Sequence, residues 1–148
     1  MTSTNADDAL AFLDTNVLLY AYDASAGRRY ARAAELVGEL ASRRLAATSI
    51  QVLQEFYVNA TRKIAKPLAH DVAVQRVQAF ARWPVHVPTP GDVVAAAELS
   101  DDAQVSLWDA MILRSASRLG CPVVWTEDLD AGQLIDGVTV RNPFEPAG

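Results

Sequence analysis

Four acidic side chains stand at places where, taken together, they could do chemistry as a cluster of carboxylates. Asp14 ends the apolar run Leu10 to Leu13 and opens "DTNVLLYA". Asp128 follows "PVVWTE" in the same manner. Asp109 falls at i with Ile112, Leu113 and Ala116 at i+3, i+4 and i+7, so its carboxylate shares the apolar face of a helix. A charge on such a face is costly unless it is paired or bound to a metal. Glu55 lies on the polar stripe Gln51, Glu55, Asn59, Arg62 and, taken alone, reads as a surface residue. The others have ordinary readings too. Asp14 suits a helix cap, Asp109 sits at capping-box spacing from Ser106, and loops after strands are rich in aspartate, with Glu127 and Asp130 close enough to take the role of Asp128.

The conjunction says more than any single acid. Two carboxylates ~4 Å apart repel by roughly 4 kcal/mol at an effective dielectric of ~20. A shared crevice keeps them ionised only if a cation joins them, and an all-oxygen donor set favours Mg²⁺ or Mn²⁺ over Zn²⁺. Cys121, His70 and His86 are the whole supply of thiol and imidazole, and they lack the spacing of a zinc site. Both histidines read as polar or packing residues, and Cys121 as a small buried apolar one.

Something must carry these acids to one place. Residues 10–14 read as a short buried strand, followed by a helix through "VLLYAYD" that Thr15 or Asn16 can cap. Gly27 to Ser42 has helical spacing, "RLAAT" is a short strand, and Thr48 or Ser49 caps a helix running to about Lys63. Pro67 opens a helix to about Trp83, "VHV" is a strand, and "GDVVAAAELS" is a helix. Ser106 caps "LWDAMILRSASRLG", which stops at Gly120, before the strands "PVVWT" and "VTV". Alternating short strands and helices imply a three-layer α/β/α fold around a mostly parallel sheet of about four or five strands, one domain over residues 1–148. Ligands of such sheets gather beyond the carboxyl ends of the strands, where Asp14 and Asp128 are expected.

Composition narrows the class. Hydrophobic residues at 51% against 21% charged place the chain among globular proteins. No apolar run approaches the ~18 residues that span a membrane. The start "MTSTNADDALAF" lacks a basic leader region, so the sequence reads as soluble and cytoplasmic, with no membrane partner. The net charge of −5 hides an uneven distribution. Residues 28–66 hold eight of the thirteen basic residues against three acids, and the rest of the chain is acidic. That block reads either as solvated helix faces or as a polyanion contact.

The segments "FLDTNVLLYA", "QEFY", "SLWDAMIL" and "WTEDLDAGQLIDGVTVRNPF" resemble a PIN domain, most closely the toxin ribonucleases of the VapBC toxin–antitoxin type. The resemblance spans nearly the whole chain. It implies an acidic site of Asp14, Glu55, Asp109 and Asp128, supported by Asn16 and Thr126, with Asp130 able to share or supply the fourth ligand. It further implies Mg²⁺- or Mn²⁺-dependent hydrolysis of structured RNA by metal-activated water, inhibition by a cognate VapB-type antitoxin, and a homodimer. On that reading the basic block, with Arg28, Arg29, Arg43, Arg44, Arg62 and Lys63, grips RNA phosphates.

Rival readings fare worse. A phospho-accepting domain needs a lysine from a late strand, and none follows Lys66. A haloacid-dehalogenase-type phosphatase needs a second aspartate two residues past the first, where this chain has Asn16. The remaining competitor is a catalytically silent PIN fold that binds RNA or protein. Trp83, Trp108 and Trp125 read as core or interface aromatics, with Trp108, beside Asp109, the foremost of them as a base-stacking candidate.

Overall fold

A computed structural model describes residues 8–145. The leader-free reading of the first seven residues lies outside that range. The central strand β1 (Ala11–Leu13) is buried along its whole length, as a strand covered on both faces must be. β2 (Ala46–Ser49) and β4 (Val123–Trp125) pair with it in parallel, one on each side. β3 (Val85–His86) extends the sheet beyond β2, and β6 (Val138–Arg141) extends it beyond β4, both parallel. A sixth strand, β5 (Leu134–Ile135), pairs antiparallel with β6, so the order is β3-β2-β1-β4-β6-β5.

The five parallel strands are those expected from the sequence; β5 is an addition. Only two residues long, it carries no periodicity of its own. Its signal was the turn: Asp136 (φ 53°) and Gly137 (φ 78°) both take positive φ, as a two-residue hairpin of the Asp-Gly type requires.

Helices occupy both faces. α1 (Thr15–Tyr20), α2 (Arg28–Ser42), α3 (Ile50–Arg62) and α4 (His70–Phe80) fill the crossovers from β1 to β2 and from β2 to β3. α5 (Pro90–Ala103) and α6 (Leu107–Arg118) lead from β3 to β4. α6 lies across β2, β3, β4 and β6, with α5 packed outside it. The main core joins Phe12, Leu13, Val17 and Leu18 to Phe56, Phe80, Leu113, Val124 and Val140. Phe56 and Phe80 meet edge to face with centroids 5.0 Å apart.

Helix starts depart from expectation at α1, which Asp14 caps in place of Thr15 or Asn16, and at α4. α4 begins at His70 rather than Pro67, because Leu68 is tied back to α3 by its N–H to the Ala60 carbonyl (2.8 Å) and packs on the core first. α2 ends in a Schellman motif without glycine. Leu45 N–H reaches the Leu40 carbonyl, Arg44 N–H reaches the Ala41 carbonyl, and Arg44 takes φ 59°. α6 ends in the same motif with Gly120 at the left-handed position, φ 74°.

Candidate active site

Chain order sets the location. From β1 the chain builds outward through β2 and β3, then returns to place β4 on the other side of β1. The strand order therefore reverses between β1 and β4, and a crevice opens beyond their carboxyl ends. Asp14 is the first residue after β1, and Thr126, Glu127 and Asp128 follow β4.

Asp14 is only 4% exposed. Its N–H donates to the Trp125 carbonyl (3.1 Å), which locks it to β4. Its Oδ1 accepts from the Thr15 N–H at 2.7 Å, so the capping reading holds. The second oxygen is committed as well. Thr126 Oγ1 donates to Asp14 Oδ2 at 2.8 Å and accepts from the Asp128 N–H at 3.1 Å. One fully buried hydroxyl thus fixes the carboxylate after β1 and the turn that carries Asp128.

Glu55 projects from the second turn of α3. Thr15 Oγ1 donates to its Oε2 (3.1 Å) and Gln51 Nε2 to its Oε1 (2.8 Å). Gln51 Nε2 also reaches the Trp108 carbonyl at 3.3 Å, which joins α3 to the start of α6. The sequence offered Gln51 only as a neighbour on the polar stripe; its role as the group that orients Glu55 was not visible there.

Asp109 resolves a sequence ambiguity by contrast with Asp92. In α5, Thr89 and Asp92 form a full capping box: the Thr89 side chain accepts from the Asp92 N–H, and the Asp92 carboxylate accepts from the Thr89 N–H at 2.9 Å. In α6, Ser106 Oγ accepts from the Asp109 N–H (3.0 Å), and among the described residues no return bond from the Asp109 carboxylate accompanies it. The cap needs Ser106, not the acid. The carboxylate is left for the crevice, where it shares a polar cleft of about 320 Å³ with Asp128 and Asp130.

These groups feel one another. Burial pushes Asp14 up to about 7, and the carboxylates of Asp128 and Glu55 push the same way against the Thr126 and Thr15 hydrogen bonds. Asp128 is raised by burial and then by Asp109, with Glu127 and Glu55 adding to it and the Asn16 amide opposing. All four expected acids therefore belong to one repulsive cluster. Glu127 does not compete with Asp128, because Tyr20 (2.9 Å) and Arg29 (2.8 Å) occupy its two oxygens.

The donor set suits a hard cation. Asn16, expected as a supporting residue, has a buried amide that makes no well-formed hydrogen bond and reaches only toward the Asp128 carboxylate, an arrangement that a hydrated ion in the crevice would complete. Among the described residues no three acidic, histidine or cysteine side chains converge tightly enough to enclose an ion. Mg²⁺ usually keeps several waters and takes one or two carboxylates directly, so carboxylates, a hydroxyl and an amide around a crevice fit it.

The basic residues do not act as one block. Arg29 pairs with Glu127, and Lys63 shares a cleft of about 230 Å³ with Asn16 and Asn59. Arg28 opens α2, and Arg62 is exposed near the end of α3. Arg43 and Arg44 precede β2, so they lie at the amino edge of the sheet, opposite the acids. Of the tryptophans, Trp83 packs on Phe80 (5.0 Å), whereas Trp108 is 66% exposed beside Asp109. Cys121 is buried and its thiol is pushed up to about 12, as expected of an inert packing residue.

The profile of the PIN domain family matches residues 11–135, which takes in β1 to β5 and all four acids. The chain belongs to the PIN-domain family. Two solved structures share this PIN fold. One is a toxin–antitoxin complex from Klebsiella pneumoniae, 23% identical, covering 92% of this chain and 99% of that one with a TM-score of 0.65. The other is VapBC2 from Rickettsia felis bound to a DNA fragment from their promoter, 16% identical, covering 90% and 98% with a TM-score of 0.61. No curated protein matches the chain. Among the described residues of this PIN domain, no helix is long and apolar enough to cross a membrane.

Proposed function

We propose that this PIN domain is a divalent-metal-dependent endoribonuclease and the toxin half of a toxin–antitoxin pair. PIN domains are generally nucleases. The observation that carries the reading is the mutual repulsion of Asp14, Glu55, Asp109 and Asp128 around the β1/β4 switch point, with Thr126 bridging two of them. Four acids brought together from four separate segments at a cost in stability are better explained by a cation than by packing.

On this reading Asp14 and Asp109 are the principal ligands of Mg²⁺, for which Mn²⁺ can substitute, and Asp128 completes the set. When bound, the ion supplies activation of a water and stabilisation of charge on the scissile phosphate. Glu55, held by Thr15 and Gln51, binds the ion or orients the attacking water. Asp130 stands in the same cleft as a spare carboxylate, and Thr126 and Asn16 position the rest. Neither histidine faces this work: His86 is committed to Ser115 and Asp92, and His70 to Tyr57. Of the basic residues expected to grip RNA, Arg28, Arg62 and Lys63 on and just after α2 and α3, with Arg29 beside Glu127, meet RNA phosphates, and Trp108 is exposed at the rim to stack a base.

One of the two similar structures is a toxin–antitoxin complex and the other is VapBC2 bound to promoter DNA, which favours a cognate VapB-type antitoxin as partner here. A cytoplasmic homodimer completes the proposal. The test is cleavage of bulk tRNA and structured RNA with Mg²⁺ or Mn²⁺. Cutting that stops with EDTA and in Asp14→Asn supports the reading. Cutting that persists in EDTA overturns it, and silence under every condition returns the chain to a non-catalytic PIN module.

A further inference from the structure

A second cleft, of about 750 Å³, opens on the α2 side of β4 and β6. Its centre is Trp125, with the Arg32 guanidinium 6.0 Å and the Arg141 guanidinium 5.8 Å from the ring centroid. Arg32 is steadied by donating Nε–H to the Pro143 carbonyl (3.1 Å). Among the described residues neither guanidinium has an ion-pair partner, whereas Arg29, Arg43, Arg114 and Arg118 each have at least one carboxylate. Glu145 is the one acid lining the cleft, and Gly132 gives part of its wall no side chain. In a chain of net charge −5, two uncompensated arginines held on one indole are a deliberate concentration of positive charge.

The cleft is also joined to the acidic crevice by the backbone. Trp125 immediately precedes Thr126, and the Arg141 carbonyl accepts the Thr126 N–H at 2.9 Å. The cleft is thus a further group of positive charges beside the acids, in addition to Arg29 on Glu127 and Lys63 in the cleft with Asn16. The contents of the cleft favour a phosphate ligand over a peptide. Two guanidiniums lie against its aromatic ring, and the remaining apolar wall, from Ala131, Val140 and Pro143, has no large hydrophobic side chain of the kind that anchors protein interfaces. Fixed guanidinium forks match phosphate oxygens bidentately.

We infer that the Arg32–Trp125–Arg141 cleft is a phosphate-binding subsite for single-stranded RNA flanking the cut site, an inference that rests on the ribonuclease reading above. It is separate from the basic residues of α3 and from Arg43 and Arg44, and it takes backbone phosphate rather than reading base identity.

The test uses a fluorescein-labelled single-stranded oligoribonucleotide of mixed sequence and the full chain carrying Asp14→Asn. Each phosphate contact on single-stranded nucleic acid contributes about 0.7 to the slope of log affinity against log salt, so Arg32→Gln with Arg141→Gln should lower that slope by about 1.4 and weaken low-salt binding at least about tenfold. The paired lysine substitutions should restore the slope but not the full affinity, since lysine keeps the charge without the fork. Arg82→Gln, an exposed charge in the turn after α4, is the control for loss of charge alone. In the cleaving protein the double variant should raise KM with kcat little changed. Cleavage by the wild type together with an unchanged slope in the double variant overturns this inference and spares the ribonuclease reading. An unchanged slope with lost binding of a glutamate-rich peptide assigns the cleft to a protein partner and overturns it equally. RNA binding with the predicted slope change but no cleavage by any form upholds the subsite and overturns the nuclease. No RNA binding at all overturns both.

Discussion

Thr126 and Asp14, distant in the chain, are joined by a 2.8 Å hydrogen bond inside the protein, and the same Thr126 hydroxyl takes the N–H of Asp128. The threonine is fully buried, so its hydroxyl has no other purpose than to orient these two acids. Thr126→Val keeps the shape and removes the hydroxyl. It should cost about 1–3 kcal/mol of stability by orphaning a buried Asp14 carboxylate oxygen and the part-buried N–H of Asp128. It should also weaken divalent-ion binding or activity by about 10- to 100-fold, as loss of a ligand-orienting group does. Thr126→Ser should recover most of both, and thermal melts with metal titration decide it.

Asp14→Asn should abolish cleavage while leaving a folded and more stable protein. The burial and like charge that push Asp14 up to about 7 are free energy set against folding above the ordinary carboxylate range. The amide retains an acceptor for the Thr15 N–H. A gain on the order of 1–3 kcal/mol in EDTA at pH 8 is expected, with the stabilisation by Mg²⁺ seen in wild type lost. A fall in melting temperature would mean that repulsion is not what this carboxylate contributes.

The two helix-start aspartates should separate cleanly. Asp109→Asn should remove activity and leave stability within about 0.5 kcal/mol, because Ser106 performs the capping. Asp92→Asn should do the reverse. Asp92 is 1% exposed and holds Arg114 (2.9 Å), His86 (3.2 Å) and the Thr89 N–H (2.9 Å). Breaking such a buried network costs about 3 kcal/mol, roughly 10 °C in melting temperature, with cleavage retained below the melt.

That network also sets an acid response. His86 is lowered from 6.5, chiefly by burial, with Arg118 and Arg114 adding to the shift and Asp92 opposing it. Asp92 is lowered from 3.8 to about 2 by the Thr89 N–H, then Arg114, Thr89 and His86, against burial. Both groups bind protons more weakly folded than unfolded, so each contributes stability that is complete above its ordinary pKa and is lost as pH falls through its folded value. In an Asp14→Asn background, which removes the opposing gain from protonation of Asp14 below about 7, melting temperature should be level above pH 6.5, decline below it through His86, and decline again from pH 3.8 toward about 2 through Asp92. In Asp92→Asn the lower decline should disappear.

Arg44 offers a check on the basic residues. It sits at the left-handed position that ends α2, where a side chain costs about 1 kcal/mol relative to glycine. Arg44→Gly should stabilise the fold by up to that amount and leave RNA affinity within about twofold, since this residue lies at the sheet edge away from the acids. A large loss of RNA binding would restore the whole basic block as the grip.

Much of this architecture was legible because short buried strands and capped helices announce themselves in apolar runs and Ser, Thr or Gly punctuation. "AFLD", "PVVWT" and "SLWD" fall where the sequence put them. The grouping of the acids was legible only as an inference, because Glu55 alone looks like any polar helix residue; its partners Thr15 and Gln51 emerge only in three dimensions. The division of the basic residues was not legible. Closeness in sequence made Arg43 and Lys63 one block, while Arg43 precedes β2 at the amino edge of the sheet and Lys63 shares a cleft with Asn16. The pairing of Arg32 with Arg141 across Trp125 joins α2 to β6, a contact no local pattern records.

The central claim is that acids from separate segments serve one divalent cation. Titration of Mn²⁺ followed by electron paramagnetic resonance, on wild type and on Asp14→Asn and Asp109→Asn separately, tests it without recourse to activity. Saturable binding in wild type, weakened at least tenfold by each substitution, is the predicted result. Equal Mn²⁺ binding by all three proteins would contradict it.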